Sequence, residues 1–276
     1  DINYSWLDGW SWLDCSQGTL AGGFRDCTDP NVALPDDFHS TACGEIATDV
    51  AWSGNVEMTC PVFVKNGATL TIAPGTIVYA RAVSSGYAAN TPCTAEACTA
   101  AAHCIYVRNS ALCQPLPSML VIESGGTIDA AGTVTEPITF TVKNEMATVA
   151  ERSAGQWGGI IILGKAPISR GSRDIEILSE SHVFGGDIAA DSSGMLRYVR
   201  VWYAGASIAP GHQVGVTFGA VGSGTVVENC EVALSAADGF EFLGGTVNAK
   251  RLSSVFVGGS AFDIEMGYTG KMQFLL

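Results

Sequence analysis

The sequence predicts an all-β protein folded as a parallel β-helix, a solenoid in which coils of short strands stack along one axis. Three observations predict this fold: a repeated strand unit, glycines at the corners between units, and a low content of charged residues. Gly239-Phe240-Glu241-Phe242 returns about 24 residues later as Asp263-Ile264-Glu265-Met266, and a weaker copy lies upstream at Gly215-Val216-Thr217-Phe218. Apolar and polar residues alternate in each copy, as in a half-buried strand. A unit of this size buries its apolar face only by stacking on its neighbours.

Composition limits both the fold and the function. The 276 residues are 47% hydrophobic, include 33 glycines and are only 15% charged, which suits short strands joined by tight corners. The net charge of −13 argues against nucleic acid as a partner, because phosphate binding needs a dense basic cluster. No apolar run is long enough to predict a membrane span. The start at Asp1 is what a mature product with its leader removed would show.

The cysteines predict disulfides and therefore an oxidising, extracellular setting. Eight of the nine form an even cluster in the first part of the chain, without the CxxC pairs typical of structural zinc. Adjacency favours pairing Cys15 with Cys27 and Cys43 with Cys60, but eight cysteines allow many arrangements. The predicted disulfide cysteines are Cys15, Cys27, Cys43, Cys60, Cys93, Cys98, Cys104 and Cys113.

Zinc is the alternative for part of this cluster, because Cys93, Cys98, His103 and Cys104 lie close together in the sequence. The ninth cysteine, Cys230, lies far downstream in an alternating strand. Since a free cysteine behaves as a small hydrophobic residue, Cys230 is predicted to be a buried free thiol.

Residues 1–60 are predicted to form an N-terminal cap rich in cysteine and tryptophan. The first coil of a solenoid exposes an apolar end and an unpaired strand edge, so a cap is needed there. Trp6, Trp10 and Trp12 would supply apolar surface for it, and a sugar-stacking platform is the alternative role for these three rings. Asn3 begins an Asn-Tyr-Ser glycosylation sequon, which fits a secreted chain.

Residues 61–276 are predicted to form the β-helix. Its first coil runs from Val62 to Val78 as strand, Asn-Gly turn, strand, Pro-Gly turn and strand. The pattern recurs from Leu120 to Val134, and removing a Cys-rich stretch at about 85–117 restores a spacing of about 25 residues. That stretch is therefore predicted to be an insertion that loops out from one corner.

Residues 119–276 contain sequence segments that are long enough to indicate a protein family. The segments GQWGGIIILGKAPI, LRYVRVWYAG, VGSGT, DGFEFLGGTVNAK and GYTGKMQF resemble a family of secreted bacterial surface proteins and lipoproteins. This resemblance implies a right-handed parallel β-helix of the pectate-lyase-like superfamily, and it implies no particular activity. Where that family has an acidic run before the Phe-Asp pair, this chain has Val257-Gly258-Gly259-Ser260-Ala261, so a metal role of such a run is not carried over.

Four carboxylates in the last two coils, Asp238, Glu241, Asp263 and Glu265, are the first candidates for chemistry. If the phenylalanines beside Glu241 point inward, Glu241 points outward, and Glu265 is expected above it at about 4.8 Å. Two ionised carboxylates that close repel, so one takes up a proton or a cation lies between them. The row predicts a calcium site or an acid/base pair for glycoside cleavage, with a solvated acidic ladder as the alternative.

Other polar residues give weaker indications. Asp187 and Asp191 lie in a glycine-flanked loop and offer oxygen ligands for calcium, but their spacing matches no EF-hand and an Asp-rich turn is the alternative. The histidines are scattered without a nucleophile motif and are predicted to be surface residues. They are His39, His103, His182 and His212.

Two classes of function follow. The first is a non-enzymatic structural or adhesive protein, extracellular or on the cell surface, that self-associates into a filament or sheath or binds another surface protein. Its contact would be the apolar C-terminal edge from Lys271 to Leu276. The second is a carbohydrate-binding or polysaccharide-cleaving protein. In that case Trp157, Trp202 and Tyr203 would stack on sugars, with Glu241 and Glu265 below them.

Overall fold

A computed structural model describes residues 5–7, 10–11, 40–82, 117–143, 154–175, 182–206 and 214–276, and the backbone of three short strands at 91–92, 104–106 and 112–115. Nearly all of the regular structure in these residues is β-strand, and the one helical turn among them is a 3-10 turn at Ser5–Leu7. No helix in this part of the chain is long and apolar enough to cross a membrane.

The strands are short and follow one another closely along the chain. In chain order they are β1 (Ser40–Ile46), β2 (Val50–Trp52), β3 (Asn55–Val64), β4 (Thr69–Ile72), β5 (Ile77–Arg81), β6 (Thr91–Pro92), β7 (Cys104–Tyr106), β8 (Leu112–Pro115), β9 (Leu120–Ile122), β10 (Thr127–Ala131), β11 (Ile138–Lys143), β12 (Ile160–Leu163), β13 (Arg173–Ile175), β14 (His182–Phe184), β15 (Gly194–Trp202), β16 (Val214–Gly219), β17 (Val226–Ala233), β18 (Asp238–Leu243), β19 (Asn248–Val255), β20 (Phe262–Glu265) and β21 (Met272–Leu275).

Sixteen of these strands pair in parallel and wind into a three-sided β-helix. Side 1 contains the first halves of β1 and β3, then β5, β11 and the second halves of β15, β17 and β19. Side 2 contains the second halves of β1 and β3, then β9, β12, β16, β18 and β20, which number the coils 1 to 7. Side 3 contains β2, β4, β10, the first halves of β15, β17 and β19, and β21. The predicted parallel β-helix is confirmed.

The core is the inside of this coil stack, where apolar residues of one side form continuous rows. One row on side 2 runs Val64, Ile122, Ile162, Phe218, Phe242 and Ile264. Phe218 and Phe242 stack with their ring centroids 5.0 Å apart, and both are completely buried. Because each fully buried side chain of this size contributes about 1.5 to 3 kcal/mol, these rows supply the main stabilisation of the fold.

The pairing of the last two coils corrects the predicted alignment. Phe240 pairs with Phe262, and Phe242 pairs with Ile264, whereas the sequence repeat had placed Ile264 beside Phe240. The step between coils 5 and 6 is 24 residues, from Thr217 to Glu241, but the next is 22, from Asp238 to Ser260. A shift of two residues leaves every side chain on the same face of its strand, so the alternation of apolar and polar residues could not reveal it.

Corners between sides are made by residues in the left-handed region of backbone conformation. Tyr198, Asn229 and Arg251 have φ angles of 49°, 54° and 58°, and each lies where side 3 turns into side 1 in successive coils. Repetition of one bend at one corner keeps the coils in register, because each turn then starts the next strand in the same direction.

The β-helix begins earlier in the chain than residue 61, where the sequence pattern had placed its start. β1 and β2 already pair in parallel with β3 and β4, and the Cys43–Cys60 disulfide joins β1 to β3. This is the pairing that adjacency favoured. The other predicted disulfide cysteines, and Asn3, lie outside the residues whose side chains are described. Cys230 is free and buried.

Two segments of the chain leave the stack of coils, and they are called the first and second excursions here. The Cys-rich stretch lies between β5 on side 1 and β9 on side 2, and its strands β6, β8 and β7 form a separate antiparallel sheet. The second excursion leaves side 2 after β12 and returns to side 3 at β15, and it carries the antiparallel hairpin β13–β14. This hairpin packs Ile175 and Phe184 on the outer face of side 2.

Candidate functional site

Along the helix axis, the outer face of side 2 changes from apolar to polar. One outward column runs Phe63, Val121 and Ile161 in coils 2 to 4, and continues as Thr217, Glu241 and Asp263 in coils 5 to 7. The apolar half belongs to the cluster covered by hairpin β13–β14. The polar half, together with Asp238 and Glu265, is named the acidic patch here and is the candidate site.

Glu241 is the central group of the acidic patch. It lies in the middle of β18 with its neighbours Phe240 and Phe242 turned into the core, so the strand holds its carboxyl on the outer face. Only 9% of the residue is exposed, and the Thr217 hydroxyl donates a hydrogen bond of 3.0 Å to Glu241 Oε2. The site therefore combines a nearly buried carboxyl with a fixed hydrogen-bond partner in the preceding coil.

The pKa of Glu241 is raised to about 7. Burial is the largest cause, because it disfavours the charged form, and the negative charges of Asp263, Asp238 and Glu265 raise the pKa further. The hydrogen bond from Thr217 acts in the opposite direction, since it stabilises the carboxylate. Glu241 is thus about half protonated near neutral pH.

The carboxylate above Glu241 is Asp263, which corrects the prediction that Glu265 occupies this position. Glu265 pairs with Leu243, two positions farther along the strand, because the coil is two residues shorter than the repeat indicated. Asp238 lies at the start of β18, where its Oδ1 accepts a hydrogen bond of 2.6 Å from the backbone N–H of Ser260. Asp238 therefore also fixes the corner that leads into β20.

One wall of the acidic patch is the start of the second excursion. The backbone N–H of Gly245 donates to Pro167 O at 2.9 Å, and the N–H of Ser169 donates to Met266 O at 2.8 Å. A Cβ at Gly244 would lie 2.4 Å from the Ile168 side chain, so this segment lies directly against coil 6. The backbone bonds hold this wall against Gly245 and against Met266, which follows Glu265 in the chain.

The structure does not bring the predicted sugar-stacking residues to this site. Trp157 is completely buried, stacked on Phe140 with centroids 6.2 Å apart, and its indole N–H donates to Trp202 O at 2.8 Å. Tyr203 is 7% exposed and belongs to the core. Trp202 is half-buried and lies on side 1, whereas Glu241 lies on side 2. Trp157 and Tyr203 therefore pack in the core, and the three aromatic residues do not line one surface with Glu241.

Asp187 and Asp191 also lie apart from the acidic patch. Asp191 Oδ2 accepts a hydrogen bond of 3.0 Å from the backbone N–H of Lys165, which ties the loop to the end of β12. Asp187 is exposed. In the described part of the chain, no group of three or more His, Cys, Asp or Glu side chains is placed to hold a metal ion.

A charged cluster under hairpin β13–β14 was missed by sequence reasoning. Lys65 contacts Glu123 at 2.6 Å and Glu45 at 3.3 Å, and His182 Nδ1 lies 3.3 Å from the same Glu123 oxygen. His182 stacks on Phe63 with centroids 5.5 Å apart, so the prediction of a surface histidine is wrong. The stacking of coils 1 to 3 brings Glu45, Lys65 and Glu123 together, and the hairpin adds His182.

The coil architecture and the carboxylates on one outer side define a parallel β-helix with an acidic face. The chain belongs to the pectate-lyase-like β-helix domain family, whose family model matches residues 44–276. Comparison with curated proteins and with solved structures gave no match. The family and the Cys43–Cys60 disulfide indicate an extracellular protein.

Proposed function

We propose that the protein acts on extracellular polysaccharide at the acidic patch, with Glu241 as proton donor and Asp263 as the second carboxylate. The observation that carries this proposal is the buried Glu241 carboxyl, whose pKa is raised to about 7 beside other carboxylates. A protonated acid next to an ionised carboxylate is the arrangement that glycoside hydrolysis uses. Glu241 would protonate the leaving oxygen, and Asp263 would act as nucleophile or as base toward water.

The charge of the site favours one class of glycan. Asp238, Asp263 and Glu265 each raise the pKa of Glu241 through their negative charge, and the whole chain carries −13. A polyuronate would bring further carboxylates against this face, which costs free energy through repulsion. The expected substrates are therefore neutral polysaccharides or polysaccharides with amino sugars.

Incubation with a panel of neutral, amino-sugar and acidic polysaccharides tests this proposal, with new reducing ends as the measured product. Glu241→Gln is expected to lower the rate at least 100-fold, because general acid catalysis contributes about 10² to 10⁴. Glu136→Gln is the control, since Glu136 is exposed in a turn on another part of the surface. The rate should fall as the pH rises above 7 and Glu241 loses its proton. Equal turnover by Glu241→Gln and the wild type would refute the catalytic role.

A second candidate function is a structural or adhesive one, in which coil 7 binds another copy or another surface protein. Strands β20 and β21 and the corner that follows β19 expose large apolar side chains, which are Phe256, Ile264, Phe274 and Leu275 at 60%, 52%, 50% and 41%. Apolar side chains beside an open strand edge favour addition of further strands, and head-to-tail addition builds a filament or sheath.

Light scattering coupled to size-exclusion chromatography tests this second candidate. The wild type is expected to form larger species as concentration rises, and Ile264→Lys is expected to prevent them by placing a charge in the contact. Val183→Lys is the matched control, because Val183 is 46% exposed on the distant hairpin. A wild type that stays monomeric at all concentrations would count against a self-associating surface protein.

A further inference from the structure

Thr217 lies at the boundary between the apolar and the polar half of the outer face of side 2. It is in the middle of β16, where it pairs with Ile161 of the preceding coil and with Glu241 of the following one. The alternation of β16 turns Val216 and Phe218 into the core and leaves Thr217 on the outer face. Thr217 is nevertheless completely buried. Packing between neighbouring coils therefore restricts the rotation of its side chain.

The Thr217 hydroxyl is directed at one of the two carboxyl oxygens of Glu241. It donates a hydrogen bond of 3.0 Å to Glu241 Oε2. Ile161, on the other side of Thr217 in this column, has no polar side-chain atom. Because a β-branched side chain is stiff about χ1, a buried threonine holds its hydroxyl in one direction. The preceding coil thus fixes the orientation of the Glu241 carboxyl.

The same hydrogen bond determines which oxygen of Glu241 carries the proton when the carboxyl is neutral. A protonated carboxyl has one O–H group and one carbonyl oxygen, and the carbonyl oxygen is the better acceptor. Because Oε2 accepts the hydrogen of Thr217, the proton of the neutral acid lies on Oε1. Asp263, the second carboxylate of the site, lies on the opposite side of Glu241 from Thr217 in the column.

We propose that Thr217 is the positioning residue of the acidic patch, whose hydroxyl holds the Glu241 carboxyl so that Oε1 presents the proton to the leaving oxygen of a polysaccharide. Because Thr217 acts on the same proton donor, its role rests on the proposed function. Thr217 acts through Glu241 and does not itself touch the reacting atoms.

The proton transfer balances as follows in atoms and electrons. The O–H bond at Oε1 breaks and the proton binds the glycosidic oxygen, while the bond from that oxygen to the anomeric carbon breaks and leaves its electron pair on the oxygen. Water then adds its hydroxyl group to the anomeric carbon, and its remaining proton restores the Glu241 acid. As Glu241 becomes negative, the hydrogen bond from Thr217 becomes charge-assisted and stronger.

The hydroxyl of Thr217 has two measurable effects on Glu241. It orients the carboxyl, and it lowers the pKa of Glu241 against burial and the neighbouring carboxylates, which raise that pKa. Removal of the hydroxyl should therefore misplace the acid and also let Glu241 keep its proton to higher pH. A residue that only fills space would produce neither effect.

Thr217→Val tests this role, because valine has nearly the same shape and no hydroxyl. The cleavage rate at about pH 6 is expected to fall about 10-fold, since a misplaced acid transfers its proton less well. The pH at which the rate falls by half on the alkaline side is expected to rise. Thr217→Ser should restore both values. Thr139→Val is the matched control, because Thr139 is also a buried threonine, 7% exposed, but lies on side 1.

A titration that needs no substrate checks the same hydrogen bond. Carbon-13 NMR of the glutamate carboxyls measures the pKa of Glu241, whose signal is assigned by its absence in Glu241→Gln. Thr217→Val should raise this pKa above that of the wild type, and Thr217→Ser and Thr139→Val should leave it unchanged.

The two readouts distinguish failure of the positioning role from failure of the proposed function. If the wild type cleaves polysaccharide but Thr217→Val has the same rate and the same Glu241 pKa, the function stands and the role of Thr217 is refuted. If the rate falls without a change in pKa, or without rescue by Thr217→Ser, Thr217 is a structural residue and the role is refuted as well. If the wild type cleaves nothing, the proposed function fails and the positioning role fails with it.

Discussion

Glu241 shows how the position of one residue in a coil changes its chemistry. The alternation of β18 puts it on the outer face, and the neighbouring coils then surround it with Thr217 on one side and Asp263 on the other. Burial and repulsion together raise its pKa to about 7, although a glutamate in an unfolded chain ionises near pH 4.3. The free energy of unfolding must therefore depend on pH through this group.

We expect the contribution of Glu241 to stability to fall as the pH rises from about 4.5 to 7. In that range the unfolded chain has released the proton and the folded chain still holds it, so ionisation favours unfolding, by about 3 to 4 kcal/mol at pH 8. Urea unfolding at several pH values measures this slope, and Glu241→Gln should flatten it. A slope that is the same in the variant and in the wild type would show that Glu241 titrates normally.

Trp157 is predicted to be a core residue by its packing rather than a ligand-binding one. Trp157→Ala should lower the free energy of unfolding by about 3 to 5 kcal/mol, because it removes a completely buried ring stacked on Phe140. Phe256→Ala is the matched comparison, because Phe256 is 60% exposed. Chemical denaturation of both variants checks this, and equal losses would contradict the assignment of Trp157 to the core.

The sequence could predict which face of each strand is buried, but not which side chains meet across coils. Period-2 alternation identified Phe240, Phe242 and Glu241 correctly as inward and outward residues. It could not choose between Asp263 and Glu265 as the neighbour of Glu241, because both lie on alternate positions of the same strand. Corner length decides that choice, because six residues, 220–225, join β16 to β17, whereas only four, 244–247, join β18 to β19.

At the scale of elements, close approach between coils determines where only glycine fits. Gly194 begins β15 with a φ of +103°, and a Cβ there would lie 2.0 Å from Ile128 O in the preceding coil. Gly67 has a similar φ of +87°, but nothing lies within 4 Å of its Cβ position. Substitutions at these two glycines can therefore distinguish the free-energy cost of the backbone conformation from the cost of a steric clash between coils.

Gly194→Ala should be clearly more destabilising than Gly67→Ala. Gly67→Ala is expected to cost about 1 to 2 kcal/mol through backbone strain alone, and Gly194→Ala about 1 to 3 kcal/mol more through overpacking between strands. Thermal and urea unfolding of the two variants provide the comparison. Equal losses would indicate that β10 and β15 are not in close contact at this corner.

At the scale of the whole molecule, the excursions from the coils were only partly predictable. The Cys-rich insertion was found because it interrupts a repeat, and it lies between β5 and β9 as its position in the repeat requires. The hairpin β13–β14 and the N-terminal residues Trp10 and Ser11 belong to no repeat. Their sequences therefore do not indicate which side of the β-helix they pack on. His182 under the hairpin and Glu231, which accepts a hydrogen bond from Ser11, were therefore missed, since their burial comes from segments that are distant in the chain.

Every site described above depends on coils that stack in register, and a distance along the helix axis tests that claim most directly. Ala51, Thr71 and Asn248 lie exposed in one outward column of side 3, with five strand pairings between Ala51 and Asn248 and four between Thr71 and Asn248. Spin labels on these residues, measured in pairs by pulsed electron resonance, should show backbone separations of about 24 Å and about 19 Å. Two equal distances, or distances above about 35 Å, would contradict the stack of coils and the sites built on it.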